Sequence, residues 1–348
     1  MKKRIHLLPS FKAHGAELFL LRMLNFYASQ VDFLLEQEVW LLDDSNFPTI
    51  PGVSVRRFKG LRSMPKLLNA FTSLSNDDIV YSWMYISMFI TTFIRTKASR
   101  VGLIRHTPGP LTLDGYSWKT LLSIKWLCFR LSSFDLLIYN SYNSLQRHKE
   151  IGWLKSKSIV IWNGYNFDLH TKVKESGYVI GIAGRNHEMK NIQGGILTFQ
   201  KLLIEIPDAR LLIVGRNTQT LDLLGLDSQI DVLDEVSDMN KYFYSKINLM
   251  WLPSLWGEGF PNVVVESLEN GVPVVANPVG DTPHMLKNED VIKFEHTTDW
   301  IERSKTLLMN KSERIESING YKLHLRPFIS MNVIVEKFEQ AEKNFCTR

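Results

Sequence analysis

The chain has 348 residues, 45% hydrophobic and 22% charged, with a formal net charge of +5. This composition excludes a disordered or fibrous protein, and the length suits two globular domains rather than one core. The only cysteines, Cys128 and Cys346, match no metal or redox spacing, so no disulfide framework is expected and a reducing cytosol fits.

The first nine residues are basic and then apolar. Their apolar run is too short for a secretion signal and reads as a first strand, Ile5–Leu8. Strand-like and helix-like segments then alternate to the end of the chain, the pattern of βαβ units with parallel sheets. Further strands are expected at Val39–Asp43, Val53–Arg57, Ile79–Trp83, Val101–Arg105, Asp135–Asn140 and Ile159–Trp162. Helices are expected at Ala16–Ser29, Tyr85–Arg95, Lys119–Leu131 and Ser144–Gly152. The polar stretch 166–177 reads as a linker, which makes 1–165 the first domain.

A second series runs over 178–325. Its expected strands are Tyr178–Ala183, Arg210–Val214, Ile230–Leu233, Ile247–Leu252, Pro273–Ala276 and Val291–Phe294. Its helices are Ile192–Ile206, Met239–Tyr244, Asn262–Asn270 and Trp300–Leu308. A terminal helix within 326–348, with Val333, Ile334, Phe338 and Ala341 at helical spacing, is expected to return to the first domain.

The charge is unevenly divided. Residues 1–165 hold 21 Lys+Arg and 11 Asp+Glu, a balance of +10, and the remainder holds 20 and 25, a balance of −5. A basic first half suggests an anionic partner, and no helix-turn-helix, zinc or RNA-binding signature points to nucleic acid. Ile79–Ile94 is the most membrane-like stretch, but its serines and threonines leave it short of a span. It reads as a strand and a mostly buried helix, with interfacial docking as the other reading.

The chemistry concentrates in the second half. Strand Tyr178–Ala183 ends at Gly184, and Arg185 and Lys190 follow in a cationic loop. Two cations at a strand's carboxyl end suit a diphosphate, Arg as a fork and Lys as a point charge. Further on, Gly257 and Gly259 bracket Glu258, Pro261 suits a helix start, and Gly271 suits its end. The helix N-terminus at Asn262 is a second place for an anion. Glu258 before it and Glu266 beyond it can accept hydrogen bonds from sugar and from ribose hydroxyls.

Together these residues resemble the retaining, two-Rossmann (GT-B) nucleotide-sugar glycosyltransferases of the large bacterial polysaccharide and lipid-glycan family, the group 1 or E-x7-E type. The motifs are Gly184-Arg185…Lys190, Glu258-Gly259-Phe260-Pro261-Asn262…Glu266, Gly271-Val272-Pro273-Val274-Val275-Ala276, and Leu211-Leu212-Ile213-Val214-Gly215. The resemblance is strong over 178–286 and weaker in the N-terminal half.

It implies an α/β protein with two Rossmann-like doubly wound parallel-sheet domains facing across a cleft, the first for acceptor and the second for donor. Arg185 and Lys190 would bind the donor diphosphate, Glu258 the sugar and Glu266 the ribose. The backbone around Gly184, Gly259, Phe260, Asn262 and Val263 would contact sugar and phosphate. In the first half, Pro9–Glu17 resembles the family's glycine-rich loop. His14 replaces the first of two glycines and Gly15 keeps the second, so Gly15 would approach the phosphate or acceptor. His106 matches the histidine that faces the donor sugar, and Asn140-Ser141 and Asn163-Gly164 match strand-end positions that also read as turns. Val279–His284 departs from the family's glycine pair, and Asp281 and His284 change the polarity beside the donor sugar.

No Asp-x-Asp occurs; Asp43-Asp44 and Asp77-Asp78 are adjacent pairs without the spacer. Two cations and a helix N-terminus can meet the same charge, so the expectation is a hexosyl- or N-acetylhexosaminyltransferase using a UDP-sugar without metal or other cofactor. Its acceptor would be a glycan or a lipid-diphosphate-linked glycan, met in the cytoplasm at an anionic membrane surface, the inner face of a bacterial inner membrane. Lipopolysaccharide, O-antigen or capsule assembly is the implied setting. A nucleotide-sugar epimerase and a catalytically silent scaffold of the same fold are the alternatives. A nicotinamide dehydrogenase is disfavoured, because no Gly-x-Gly-x-x-Gly follows the first strand.

Overall fold

A computed structural model describes residues 2–12, 15–30, 35–109, 117–153, 157–167 and 177–346. It divides into two units: Met1–Asn166 with Ile329–Arg348, and Phe167–Phe328. The expected linker, 166–177, lies largely outside the described residues.

The first unit is built on seven parallel strands: β1 Lys3–Leu8, β2 Glu36–Leu41, β3 Val53–Arg57, β4 Ile79–Trp83, β5 Ser99–Ile104, β6 Leu136–Tyr139 and β7 Ser158–Val160. Their order is β3-β2-β1-β4-β5-β6-β7, so the sheet winds outward in both directions from β1 and β4. Every expected strand of this half is present, Val53–Arg57 and Ile79–Trp83 with unchanged bounds and the others within three residues at each end. The central strands are buried on both faces, which is why they read as unbroken apolar runs rather than alternating ones. Helices α1 Gly15–Ser29, α2 Met64–Thr72, α3 Met84–Thr91, α4 Trp118–Arg130 and α5 Tyr142–Glu150 connect them. Helix α2 has no counterpart among the expected elements; its one apolar stripe, Leu67, Ala70 and Phe71, is too narrow to stand out.

The C-terminal helix, Met331–Phe345, completes this core. Ile334, Val335 and Phe338 join Phe19, Leu20, Met23 and Trp83 in one apolar cluster. An ionic knot fixes the helix to β1: Arg4 Nε lies 2.7 Å from Glu342 Oε1, and Tyr81 donates its hydroxyl to the same carboxylate. Arg4 and Glu342 are both buried. Removing either would leave a buried charge to a half-exposed ionic partner, Lys2 for Glu342 or Glu339 for Arg4, at a cost of about 3 kcal/mol.

The Ile79–Ile94 stretch divides into β4 and α3, and Tyr85 and Met88 of α3 are buried against α4 and β6. Among the described residues no helix is long and apolar enough to cross a membrane.

The second unit has five parallel strands, β8 Val179–Ala183, β9 Arg210–Val214, β10 Ile230–Leu233, β11 Leu249–Leu252 and β12 Val274–Ala276, in the order β10-β9-β8-β11-β12. Its helices are α6 Ile192–Glu205, α7 Asn262–Glu269, α8 Thr282–Met285, α9 Thr297–Met309 and α10 Lys311–His324. Two expectations are corrected. Val291–Phe294 is not a strand: Val291 forms a single bridge to Ala276, and the chain then turns away. Met239–Tyr244 is a π-helical turn at Asn240–Tyr244. Helix α10 was not expected, because its charged residues outnumber its buried ones, Arg314, Ser317, Ile318 and Tyr321.

Candidate active site

The strand order of the second unit reverses direction between β8 and β11. The chain leaves β8 toward β9 on one side and returns later to β11 on the other, so their following loops diverge and open a crevice at the carboxyl ends. Those two loops, 184–191 and 253–261, carry most of the residues that the sequence nominates.

Three bonds join them. The Leu255 amide donates to the Met189 carbonyl at 2.8 Å. Asn191 Nδ2 donates to the Pro253 carbonyl at 3.3 Å. Lys190 Nζ meets Glu258 Oε1 at 2.5 Å. Ser254 Oγ donates to the same Glu258 oxygen at 2.9 Å. The lysine and glutamate side chains are only 18% and 10% exposed, so the pair is largely withdrawn from water. Arg185 is exposed on the first loop, its Nη2 3.9 Å from Met189 sulfur.

The backbone makes this geometry specific. Glu188–Lys190 form one 3-10 turn, capped by His187 Nδ1 accepting from the Met189 amide, and Asn191 takes a left-handed φ of 50° before α6 begins. Asparagine tolerates that conformation better than other non-glycine residues. Gly280 supports the second loop from below. Its φ is +58°, and a Cβ there would lie 2.3 Å from the Gly259 carbonyl oxygen. The next residue, Asp281, is buried and donates its amide to that oxygen at 2.9 Å. Only glycine allows so close an approach at a left-handed position.

Glu266 has a different partner. It lies on α7, whose Val264, Val265 and Leu268 are buried, and is itself half-buried with Val263 and Asn262. The Tyr244 hydroxyl donates to Glu266 Oε2 at 2.8 Å, and Tyr244 is only 1% exposed. The two glutamates are therefore held separately, one by a cation and a hydroxyl, the other by a phenol. Phe260 is buried.

In the first unit the sheet reverses between β1 and β4. Gly15 opens α1 after β1; His14 lies outside the described residues. Half-buried His106 follows β5, and its carbonyl accepts from Ser144 Oγ at 2.7 Å. Ser141, beside Asn140, is the N-cap of α5 and accepts from the Ser144 amide, so its turn reading has a geometric basis. Asn163 Oδ1 accepts from Arg105 Nη1 at 3.3 Å. The guanidinium of Arg105 stands over Phe19, 4.4 Å from the ring centre, and burial lowers its pKa to about 9.

Sequence reasoning missed Ser254 and Tyr244, whose hydroxyls become informative only once Glu258 and Glu266 are placed beside them. It also missed Met84, a non-glycine residue at φ 62° at the end of β4. Nothing in a methionine's side chain announces a left-handed backbone; the bend between a buried strand and a buried helix imposes it.

The two parallel-sheet α/β units define the GT-B fold. Over 99% of this chain and 100% of the other, the chain superposes on Anabaena HepE in complex with UDP and glucose, with a TM-score of 0.77 at 18% identity. Residues 168–322, most of the second unit, match the family described as Glycosyl transferases group 1. An exopolysaccharide phosphotransferase of Streptomyces coelicolor is 28% identical over 267 residues, 72% of this chain but 27% of the relative. An uncharacterized 41.2 kDa protein in the cps region of Klebsiella pneumoniae is 23% identical over 250 residues, 60% of this chain and 66% of the relative. The chain thus matches about a quarter of the first relative's length and just under two thirds of the second's.

Proposed function

We propose that this protein transfers a hexosyl or N-acetylhexosaminyl group from a UDP-sugar to a glycan or lipid-diphosphate-linked acceptor, with retention at the anomeric carbon and without a metal. The observation that carries the reading is the Lys190–Glu258 pair at the β8/β11 switch point, with Arg185 on the same loop and the first turn of α7 following Glu258. Diphosphate charge is met there by Lys190, Arg185 and the amides that open α7. Glu258 receives the sugar hydroxyls and Glu266 the ribose. Bound UDP and glucose in HepE favour a UDP donor.

In the front-side route, the acceptor oxygen bonds to the anomeric carbon on the face from which UDP leaves. The bond from that carbon to the phosphate oxygen breaks, and the phosphate takes the acceptor's proton. Arg185 and Lys190 stabilise the departing charge. His106 is assigned to the reacting sugar, and the Gly15 loop to acceptor recognition by the first unit. Polysaccharide or lipopolysaccharide assembly on the cytoplasmic face of a bacterial inner membrane is the setting that a basic first unit and the cps-region relative favour.

A thermal-shift screen of nucleotide-sugars, followed by transfer assays with the stabilising donor, tests the reading. The expected result is stabilisation by a UDP-sugar and an EDTA-insensitive product of the donor's own anomeric configuration. An Arg185→Ala/Lys190→Ala variant should lose turnover; normal turnover would overturn the site assignment. An epimer formed from donor alone would instead make the protein an isomerase. A trapped glycosyl-Glu258 adduct in the mass spectrum would replace the front-side route with a double displacement.

A further inference from the structure

Helix α4 carries an apolar face that is largely exposed among the described residues. Trp118, Leu122, Trp126 and Phe129 are 64%, 52%, 36% and 84% exposed. At about 100° per residue they fall within an arc of about 80°. The opposite side of the helix, Ser123, Ile124 and Leu127, is buried. Phe93, 57% exposed, follows α3 and widens the face by stacking on Trp126, ring centres 5.0 Å apart and 18° between planes. Trp126 Nε1 donates to Thr92 Oγ1 at 3.0 Å, which holds the two segments together.

The charge around this face has one sign. Arg95, Lys97, Lys119, Lys125 and Arg130 are exposed beside it. Between Asp78 and Asp135 the sequence has seven Lys+Arg and a single acid, Asp114. Neither α3 nor α4 contains a carboxylate.

We propose that the α4 face, with Phe93, is the surface by which this protein docks on an anionic lipid bilayer. The rings and Leu122 enter the headgroup–acyl boundary while the flanking cations meet lipid phosphates. Exposed Trp and Phe on one arc, with cations at its edges, is the composition of an interfacial helix. A partner protein's apolar groove would match the rings but not the surrounding cations, which form no ion pair among the described residues. Of the Ile79–Ile94 stretch that hydropathy alone nominates, the surface takes only Phe93; the other apolar residues largely serve the core. The inference rests on the membrane setting proposed above and adds the face.

Co-sedimentation of the full chain with phosphatidylcholine vesicles containing about 30% phosphatidylglycerol tests it, beside vesicles of phosphatidylcholine alone. Binding is expected only to the anionic vesicles, and should weaken with salt because the headgroup attraction is screened. Trp118→Ser/Phe129→Ser should reduce partitioning by about ten-fold or more, since each ring withdraws apolar area from water. Lys119→Glu/Lys125→Glu should reduce it in low salt and lose that difference in high salt. Unchanged circular dichroism and unchanged affinity for UDP would show that the variants fold. Wild-type failure to bind any vesicle would remove both the face and the membrane setting. Normal binding by both variants would remove the face alone. A concentration-dependent dimer abolished by the Trp118/Phe129 variant, without vesicle binding, would assign the surface to a second copy instead.

Discussion

Neutralising Lys190 and Glu258 singly and together separates what the pair does for the fold from what it does for a donor. Lys190→Met keeps the stem, which runs past Gly184 closely enough that a Cβ there would lie 3.2 Å from Lys190 Cδ. Glu258→Gln keeps the shape and the bond from Ser254. Two unit charges about 4 Å apart attract by about 4 kcal/mol at an effective dielectric of 20, and desolvation offsets much of it. With both side chains mostly buried, a coupling of about 1–2 kcal/mol should remain. Lys190→Met leaves a buried carboxylate without its cation and should lose about 2–3 kcal/mol. Glu258→Gln leaves the more exposed lysine and should lose about 1 kcal/mol. The double variant should be no less stable than Lys190→Met alone.

Urea unfolding of the four proteins measures that cycle, and UDP titration by calorimetry supplies an independent readout. If the diphosphate takes Lys190 from Glu258, Lys190→Met should weaken UDP by about ten-fold, the loss of one charge-assisted bond. Glu258→Gln should leave UDP affinity equal or higher, because the competitor is gone, yet weaken the complete UDP-sugar. Strict additivity of the stability changes would refute the coupling. Unaltered UDP affinity in Lys190→Met would refute the exchange of partners.

Tyr244→Phe removes the hydroxyl that holds Glu266 Oε2 and should raise the donor KM by about three- to ten-fold with little change in kcat, the loss of about one hydrogen bond; equal losses in both would place Tyr244 in the chemical step. Gly280→Ala puts a methyl against the Gly259 carbonyl oxygen at a left-handed backbone, so about 2–4 kcal/mol of stability and most donor binding should go. Near-native urea unfolding of that variant would show a loop free to shift. Acid stability should follow two buried histidines. His148 donates Nδ1–H to the Ser144 carbonyl and accepts from Tyr85, and His6 accepts from Trp83 at Nδ1, so both are neutral. Burial lowers their pKa to about 3 and about 4. The unfolded chain takes up those protons near pH 6.5, so their contribution is complete above that value and is lost as the pH falls. Fully expressed it is of order 3–5 kcal/mol for each. Unfolding free energy should therefore decline from about pH 6.5 to 5, a slope halved in His148→Gln; a flat profile would refute the assignment.

Elements were legible where one physical requirement dominated. Doubly buried parallel strands are mostly apolar, and β4, β5 and β6 of the first sheet stood out for that reason. Val291–Phe294 has the same look, but β12 is only three residues long at that edge, and the chain forms one bridge and leaves. Helices α2 and α10 were hidden because half-exposed helices need few apolar residues, and these are short or highly charged. Which apolar residues are exposed was illegible for a related reason. Hydropathy counts apolar residues, whereas only packing shows that Tyr85 and Met88 face inward while Phe129 faces out.

Local chemistry is written in the sequence itself: the α/β alternation, the cations after Gly184, the glycine-bracketed Glu258, the helix start at Asn262 and the division of charge. Those depend on backbone preference and side-chain type, which act over a few residues. Tertiary structure alone decided the partners. It set Lys190 against Glu258, 68 residues away, Tyr244 under Glu266, Gly280 against the Gly259 carbonyl and Glu342 into the Arg4 pocket. Such contacts depend on strand order and on how closely two loops approach, and no short-range pattern encodes either.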